Sequence, residues 1–414
     1  MKLIEKSAKI LDKRLCDHCL GSQFAFLLTG YTNKQRGKII RDNLAMLIDS
    51  NSIDYSKIDP SNFYGYKFRE NKKFFKRIKK PEKCWLCNDL FDDLGKMIKD
   101  AEKRLKKKEF KTLLVGSILP DDVLNRQDKI WESIGIEWCE HLKNTINRIV
   151  GIGVCERLGK DVDFKRPDVN VFVNLKRKKV EIKINSFYVF GYYKKMKRGF
   201  PQSKWGTPGK YKTSIQEIIS KPLMKAAKVK DNKFSGSGRE DIDARNLGWR
   251  AFVVELLEPK KRKLDLKKIQ KQINKSKKVN VKELKYSNKQ TVVKIKTETG
   301  DKTYRVRVKL EKPIDKKNLR KLKELIGVIN QKTPTRVLRR RADLVRKRRV
   351  KSLKYKQINK KTLELTIKTT AGLYIKELVS GDNGRSKPSV SEILNVKATP
   401  YDLDVIRIER PKSL

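Results

Sequence analysis

Ser235-Gly-Ser-Gly-Arg-Glu-Asp-Ile-Asp-Ala-Arg245 is the stretch on which the reading of this chain turns. It places Asp241 just after a glycine-rich turn, between Arg239 and Arg245, and the strand-like run Ala251-Phe-Val-Val-Glu-Leu-Leu257 follows. The chain carries 102 Lys and Arg against 48 Asp and Glu, a formal net charge of +54. In so basic a chain, a carboxylate held in a tight turn serves more than bulk charge. It is a candidate nucleophile presented to a polyanion.

The charge itself points to nucleic acid. A surface of this sign attracts phosphate backbones through counterion release, which folding alone does not explain. At 414 residues with 38% apolar composition, the chain is long enough for two or three domains with cores of their own. No stretch reaches the roughly 18 apolar residues of a membrane span. The opening Met1-Lys-Leu-Ile-Glu-Lys lacks the apolar centre of a signal peptide. A cytoplasmic protein without membrane contact is expected, and its six cysteines are expected as thiols or metal ligands rather than disulfides.

Cys16-Asp-His-Cys19 and Cys84-Trp-Leu-Cys87 are two C-x-x-C knuckles. Four thiolates from two such turns match tetrahedral zinc, so Cys16, Cys19, Cys84 and Cys87 are the expected ligands of a closed, structural site. His18 sits inside its knuckle and is not expected to ligate. Cys139 and Cys155 stand alone, as buried packing residues.

Helical spacing runs through residues 1–50, 92–110 and 128–158. Lys111-Thr-Leu-Leu-Val-Gly116 reads as a short buried strand, and Asp168–Asn174 and Val180–Asn185 as a strand pair that Ser186–Tyr192 continues. A mixed α/β module therefore ends near residue 193. A loop of cations and aromatics follows, containing Lys195, Arg198, Lys204 and Trp205, a composition suited to RNA through stacking and phosphate contact.

Further on, residues 213–229 and a segment marked by Leu266, Ile269 and Ile273 read as helices. Val293, Ile295 and Thr297 alternate, Gly300-Asp301 turns, and Tyr304, Val306, Val308 and Leu310 alternate back, which predicts a β-hairpin. Leu319, Leu322, Ile326 and Ile329 mark another helix. Residues 336–351 hold nine cations, Arg336, Arg339, Arg340, Arg341, Arg346, Lys347, Arg348, Arg349 and Lys351, with Asp343 the lone acid. Guanidinium forks suit bidentate phosphate contact, so this segment and the loop 194–205 are read as two grips on RNA. A strand at Leu363, Leu365 and Ile367, a helix from near Tyr374 to Val379, a helix at 388–394 and an edge strand at 401–408 complete the chain.

The sequence has no Walker loop, no GxGxxG after a strand and no HExxH, and only two histidines, His18 and His141. What remains is a carboxylate, a tyrosine on an apolar face and several positioned cations. Such a set acts without a catalytic cofactor on a redox-neutral reaction. Two other readings stand beside it. One is a non-catalytic RNA-binding or assembly protein in which Asp241 merely bridges Arg239 and Arg245. The other is a magnesium-dependent nuclease using Asp241, Asp243 and Glu240.

Gly238-Arg-Glu-Asp-Ile-Asp-Ala-Arg245 resembles the catalytic motif of the archaeal and eukaryotic tRNA pseudouridine synthases called Pus-ten. Arg198-Gly-Phe-Pro-Gln-Ser-Lys-Trp205, Arg341-Ala-Asp-Leu-Val-Arg346, and Gly372-Leu-Tyr-Ile-Lys376 with Gly381-Asp-Asn-Gly-Arg385 are similar to further family motifs, in the same order. Leu373 departs from the pattern, where a threonine is expected. The resemblance covers nearly the whole chain.

It implies an α+β fold: a mixed, largely antiparallel synthase sheet with a central cleft, preceded by a zinc-bearing α/β module that contains a THUMP domain. The implied domains are 1–193, accessory and RNA-binding, and 194–414, catalytic. It implies an isomerase that converts uridine to pseudouridine at positions 54 and/or 55 of the tRNA T loop, with tRNA as partner; apart from the resemblance, a monomer is expected. Asp241 becomes the nucleophile, Tyr304 the residue that stacks on the base, Lys376 the cation paired with the aspartate, and Leu394, or Ile393, the apolar residue under the base. The cations expected on RNA, with Trp205, are Lys195, Arg198, Lys204, Arg239, Arg336, Arg340, Arg341, Arg346, Arg348 and Arg349.

Overall fold

The computed structural model describes residues 3–206, 209–297 and 300–409. The chain divides into two compact units, Met1–Asn185 and Ser186–Leu414.

The first unit is built on strands β1 (Thr112–Ile118), β2 (Asp161–Val162), β3 (Val169–Asn174) and β4 (Lys179–Ile184). They lie in the order β2-β1-β3-β4, with β1 parallel to both neighbours and β3 antiparallel to β4. Helices Leu90–Leu105 and Leu142–Leu158 pack on one another, and the second of them packs on β1. In the first helix Leu94, Met97, Ile98, Ala101 and Leu105 are buried, the three-and-four spacing that gives a helix one apolar face. The 128–158 run is two helices, Asp121–Ile134 and Leu142–Leu158, because Gly135 takes φ 81° and ends the first.

Towards the N-terminus, helix Asp17–Ser22 crosses helix Asn33–Asp49 at a pair of glycines. A Cβ on Gly21 would sit 1.8 Å from the Asn33 carbonyl oxygen, and one on Gly37 would sit 2.0 Å from that of Asp17. Only glycine permits so close an approach. The crossing fixes the turn that carries Cys16 and Cys19.

The second unit holds β5 (Phe187–Lys195), β6 (Asn232–Gly236), β7 (Arg245–Leu256), β8 (Val279–Ser287), β9 (Lys302–Leu310), β10 (Gly327–Lys332), β11 (Val345–Asn359), β12 (Thr362–Thr369), β13 (Ser386–Lys387) and β14 (Ala398–Ile408). They form one ten-stranded sheet in the order β13-β10-β11-β12-β9-β14-β7-β5-β8, with β6 added on β7. Every pairing is antiparallel except β14 with β7, which meet in parallel over two residue pairs, Asp404↔Arg245 and Val405↔Asn246. One end of the sheet is β13, two residues long. The other is β8, bulged where Glu283 takes φ 55°.

Two apolar layers back the sheet on either side of that parallel seam. Val306, Val308, Leu310, Leu363, Leu365 and Ile367 alternate inward from β9 and β12, over Leu378, Val379 and Val390. Val189, Phe252 and Val254 pack on Ile215, Ile219 and Leu223 of helix Ile215–Ala227 and on Ile269 and Ile273 of helix Leu266–Asn274. The fold is thus α+β, a largely antiparallel sheet preceded by an α/β module.

Several expectations are corrected. Ser186–Tyr192 does not continue the first sheet: it opens β5, between β7 and β8 of the second, so the break between compact units falls at 185/186. Residues 293–297 are not a strand but part of helix Lys289–Thr297. Val292 and Ile295 share a helical face against Phe190, Tyr192 and Val253, while Val293 is exposed, so period 3.6 wins over the short alternation. β9 pairs with β12 and β14 instead, and residues 298–299 of the expected hairpin lie outside the described residues. The helix drawn through Ile326 and Ile329 stops earlier, because Gly327, at φ 143°, starts β10. The segment 336–351 is a 3-10 turn, Thr335–Arg340, and then the start of β11. Residues 401–408 form no edge. They belong to β14, which is interior to the sheet.

Candidate active site

The turn between β6 and β7 is built by a buried polar network. Gly238 takes φ 74°, and a Cβ there would lie 2.9 Å from Nη1 of Arg250. Arg250, itself buried, donates from Nη1 to the Ser237 carbonyl at 2.6 Å and pairs with the buried Glu240 at 3.0 Å. The Tyr193 hydroxyl donates to Glu240 at 2.9 Å, and Gln202 donates both to that hydroxyl at 2.8 Å and to the Gly238 carbonyl at 2.9 Å. Buried charges persist where each is paired and hydrogen-bonded in this way. Lys195, fully buried, spans the far side of the turn and donates to the carbonyls of Asp241 at 3.1 Å and Ile242 at 2.8 Å. The backbone on both sides of Asp241 is thereby pinned, and its side chain is left one-third exposed.

That side chain faces a cleft of about 240 Å³, lined among others by Arg239, Tyr304, Arg336, Tyr374, Lys376 and Leu403. Arg336 meets both carboxylate oxygens of Asp241 at 3.3 Å, and its Nε holds Glu377 at 2.7 Å. Burial alone lowers the Arg336 guanidinium, but Glu377 and Asp241 outweigh it, so its pKa rises above the usual arginine value. Lys376 reaches Asp241 at 3.4 Å and the more exposed Asp243 at 2.7 Å. Burial raises the Asp243 carboxyl, yet the hydrogen bonds from Lys376 outweigh this and hold it below the ordinary carboxylate value. Burial, with a smaller contribution from Asp241, pushes the Tyr304 phenol up to about 12, so it stays protonated at neutral pH.

Asp241, Tyr304 and Lys376 thus line one cleft, with Arg239, Arg336 and Arg341 beside them. Leu394 does not line it. It is buried in the apolar layer below, and Leu403 and Val405 of β14 supply the cleft's apolar wall. Among the expected RNA contacts, Lys195 is corrected outright: its ammonium serves two backbone carbonyls and is hidden from solvent. Arg198 is engaged by Asp402 at 3.2 Å and Asp404 at 2.8 Å. Arg341 donates to the Tyr374 hydroxyl at 2.7 Å, and Arg346 to the Thr333 hydroxyl at 2.9 Å. Arg348 is half-buried beside Gly372. Lys204, Arg239, Arg340 and Arg349 are exposed. Trp205 packs edge-on against Tyr211, with Lys210 over its ring at 5.2 Å.

Asp241 does not bridge Arg239 and Arg245. Arg245 turns to Asp404 at 2.7 Å, and Arg336 and Lys376 take the carboxylate. A magnesium pair on Asp241, Asp243 and Glu240 fits poorly, since Lys376 already lies against both aspartates and Glu240 is committed to Arg250. Sequence reasoning missed Tyr193, Gln202, Glu240 and Arg250 as the frame of the turn, and Glu377, Leu403 and Val405 in or beside the cleft. Apart from Glu240, which sits beside Asp241 in the turn, each comes from a distant part of the chain, and no local pattern marks its role.

In the first unit, the sulfurs of Cys16, Cys19, Cys84 and Cys87 lie within 4.8 Å of one another. The Cys16 amide donates to Cys84 Sγ at 3.2 Å, and the Cys84 amide to Asp89 at 2.9 Å. Four converging thiols are the donor set a tetrahedral metal takes, so these residues can hold one ion. His18 is outside the set and stacks on Phe91 at 4.2 Å. His141 caps helix Leu142–Leu158 by accepting from the Lys143 amide. Burial pushes the Cys139 thiol up to about 11, and Cys155 is half-buried. No helix among the described residues is long and apolar enough to cross a membrane.

The chain is similar to known proteins along nearly its whole length. Residues 188–409 match the family model described as Pus10, C-terminal, and residues 97–174 the one described as Pus10 THUMP domain, archaeal. The chain is 38% identical to the tRNA pseudouridine synthase Pus10 of Pyrococcus furiosus over 98% of each chain. It is 36% identical to the protein of that name from Methanothrix thermoacetophila, over 95% of this chain and 91% of the other.

Proposed function

The chain belongs to the Pus10 family of tRNA pseudouridine synthases, and on that premise we propose that it isomerises uridine to pseudouridine in the T loop of tRNA, at position 54, position 55 or both, with Asp241 as nucleophile. The observation that carries this reading is the Asp241 carboxylate, held on a pinned turn in a cleft between Arg336, Lys376 and Tyr304.

The target nucleotide leaves the loop stack and enters the cleft, which is cheaper from a loop than from a duplex. Tyr304 stacks on the uracil, and Leu403 and Val405 close the apolar side. Asp241 acts on the sugar or the ring, and the bond between N1 and C1′ breaks. The uracil turns, C5 bonds to C1′, the C5 proton leaves and N1 takes one up. The reaction is redox-neutral and isomeric, so it needs no cofactor. Arg336 and Lys376 keep the nucleophile aimed before the substrate arrives, because its backbone and both oxygens already have partners. Ser186–Leu414 is then the catalytic unit. Met1–Asn185 is an accessory RNA-binding unit in which the four cysteines hold a structural zinc.

The test uses tRNA carrying tritium at C5 of uridine, without added metal. Wild-type protein releases tritium to water. Asp241→Asn lowers that release at least a thousandfold and leaves the tRNA dissociation constant within about threefold, because one carboxylate in a large phosphate-binding surface adds little affinity. Full release by Asp241→Asn sinks the assignment. Binding without release by the wild type leaves a passive RNA-binding protein, and strand cleavage on adding magnesium means a nuclease.

A further inference from the structure

We propose that a basic groove beside the four-cysteine cluster is a second RNA-binding site, one that takes the phosphate backbone and whose shape the metal holds. The proposal deepens the tRNA reading above and rests on it.

The groove, about 780 Å³, lies within Met1–Asn185. Lys13 and Arg14 line one wall, and Arg77, Lys79, Lys80 and Lys83 line another, with Arg126 behind them. Asp59 and Glu82 are the only acids among the described residues on its lining. Seven cations against two carboxylates in one concavity repel one another unless an anion joins them. Little inside the unit relieves that repulsion. Arg126 is engaged by Asp122, Lys13 comes no nearer than 3.9 Å to Asp12, and Lys79, Lys80 and Lys83 have no ion pair among the described residues. Nε of Arg14 is buried without a hydrogen-bond partner. A chain of phosphates supplies the missing charge.

The cysteines join the walls. Lys13 and Arg14 run into Cys16, and Lys83 and Trp85 flank Cys84. The Trp85 amide donates to the Arg14 carbonyl at 2.7 Å, and Arg126 grips both the Trp85 carbonyl and Asn88. An ion on the four sulfurs ties residues 16 and 19 to residues 84 and 87, and so sets the width of the groove. Apart from Arg126, the lining lies outside the THUMP match at residues 97–174.

The test measures the dissociation constant of full-length unmodified tRNA on the full chain, by fluorescence anisotropy, across a salt series. The triple variant Lys79→Glu, Lys80→Glu, Lys83→Glu is compared with Lys9→Glu, Lys57→Glu, Lys67→Glu, which makes the same charge change at exposed positions outside both the groove and the THUMP match. The groove variant is expected to weaken binding at least about tenfold at roughly 0.15 M salt and to flatten the log–log salt slope by about 2 to 3, the loss of as many phosphate contacts. The control is expected to change affinity less than about threefold. Equal weakening by both triples, or none by the groove triple, overturns the proposal.

In a second arm, protein stripped of metal by chelation is expected to lose tRNA affinity to a similar degree and to regain it when zinc is returned. Its rate of tritium release at saturating tRNA should be unchanged. Affinity that ignores metal overturns the coupling. The two readings fail separately. Groove-dependent binding with no tritium release by the wild type sinks the synthase, while tritium release with groove-independent binding sinks the groove.

Discussion

Lys195 shows how much a single buried charge can organise. Its ammonium bonds two carbonyls of the turn that carries Asp241, and burial pushes its pKa down to about 8 from 10.5. Between those values the unfolded chain binds more protons than the folded one, so this group makes stability rise with pH from about 8 to 10.5. Lys195→Met should remove that segment of the stability–pH curve, read as the difference between wild-type and variant urea midpoints. It should also lower the rate of tritium release about tenfold or more at saturating tRNA, with the dissociation constant unchanged, because the turn loses its anchor while the RNA surface keeps its charge. A loss of affinity equal to the loss of rate would instead make Lys195 an RNA contact. The sequence marks Lys195 only as one more cation beside aromatics. Whether a lysine faces RNA or a carbonyl depends on what folds over it, and the turn that covers Lys195 begins some forty positions later. Asp241 is legible because its turn is local. Its partner Arg336 comes from 95 positions downstream, and no spacing rule connects them.

At the scale of elements, the legible strands are those with one buried face. β9 and β12 alternate along their length, Val306, Val308 and Leu310 against Leu363, Leu365 and Ile367. β14 is different. Its alternation is interrupted by Asp404, a buried carboxylate that reads as a surface residue and so suggests an edge. Asp404 is instead the hub of Arg198 at 2.8 Å, Arg245 at 2.7 Å and Arg305 at 3.1 Å, the last two on the strands either side of β14. Burial raises its carboxyl, but hydrogen bonds from Arg245 and Arg305 outweigh this and keep it ionised. Asp404→Ala removes a carboxylate shared by three guanidinium groups and should destabilise the second unit by about 3 kcal/mol in urea unfolding. A change below about 1 kcal/mol would mean that water screens these pairs. In the first unit, Gly37→Ala drives a methyl group into the Asp17 carbonyl. The helices must part, and the knuckle carrying Cys16 and Cys19 shifts with them. Metal competition with a chromophoric chelator should show at least tenfold weaker binding for Gly37→Ala, whereas Gly95→Ala, in open space, should show none.

For the whole molecule, each unit has an apolar core of its own, as the composition led one to expect. The boundary between them was legible only to within a strand, because Val180–Asn185 and Ser186–Tyr192 are both apolar runs and nothing local says which sheet claims the second. Chelation therefore acts on one unit. Calorimetry of stripped protein should show the transition of Met1–Asn185 shifted down by at least about 10 °C, with that of Ser186–Leu414 unmoved, since the thiol cluster contributes its binding free energy only where it sits. A joint shift of both transitions would mean that the units unfold as one. A ten-stranded pleated surface also raises the question of where it stops. One rim is β10 with the two-residue β13 laid on it, another is β8, bent at Glu283 and studded with Lys282 and Lys285, and a third is the five-residue β6, against helices Ile215–Ala227 and Lys289–Thr297. Each is short, bent or backed by helices, and none offers a long straight row of free amides and carbonyls for a neighbour to zip onto. The sheet is self-limiting, so crowded copies should resist amyloid-like stacking, whatever RNA they carry.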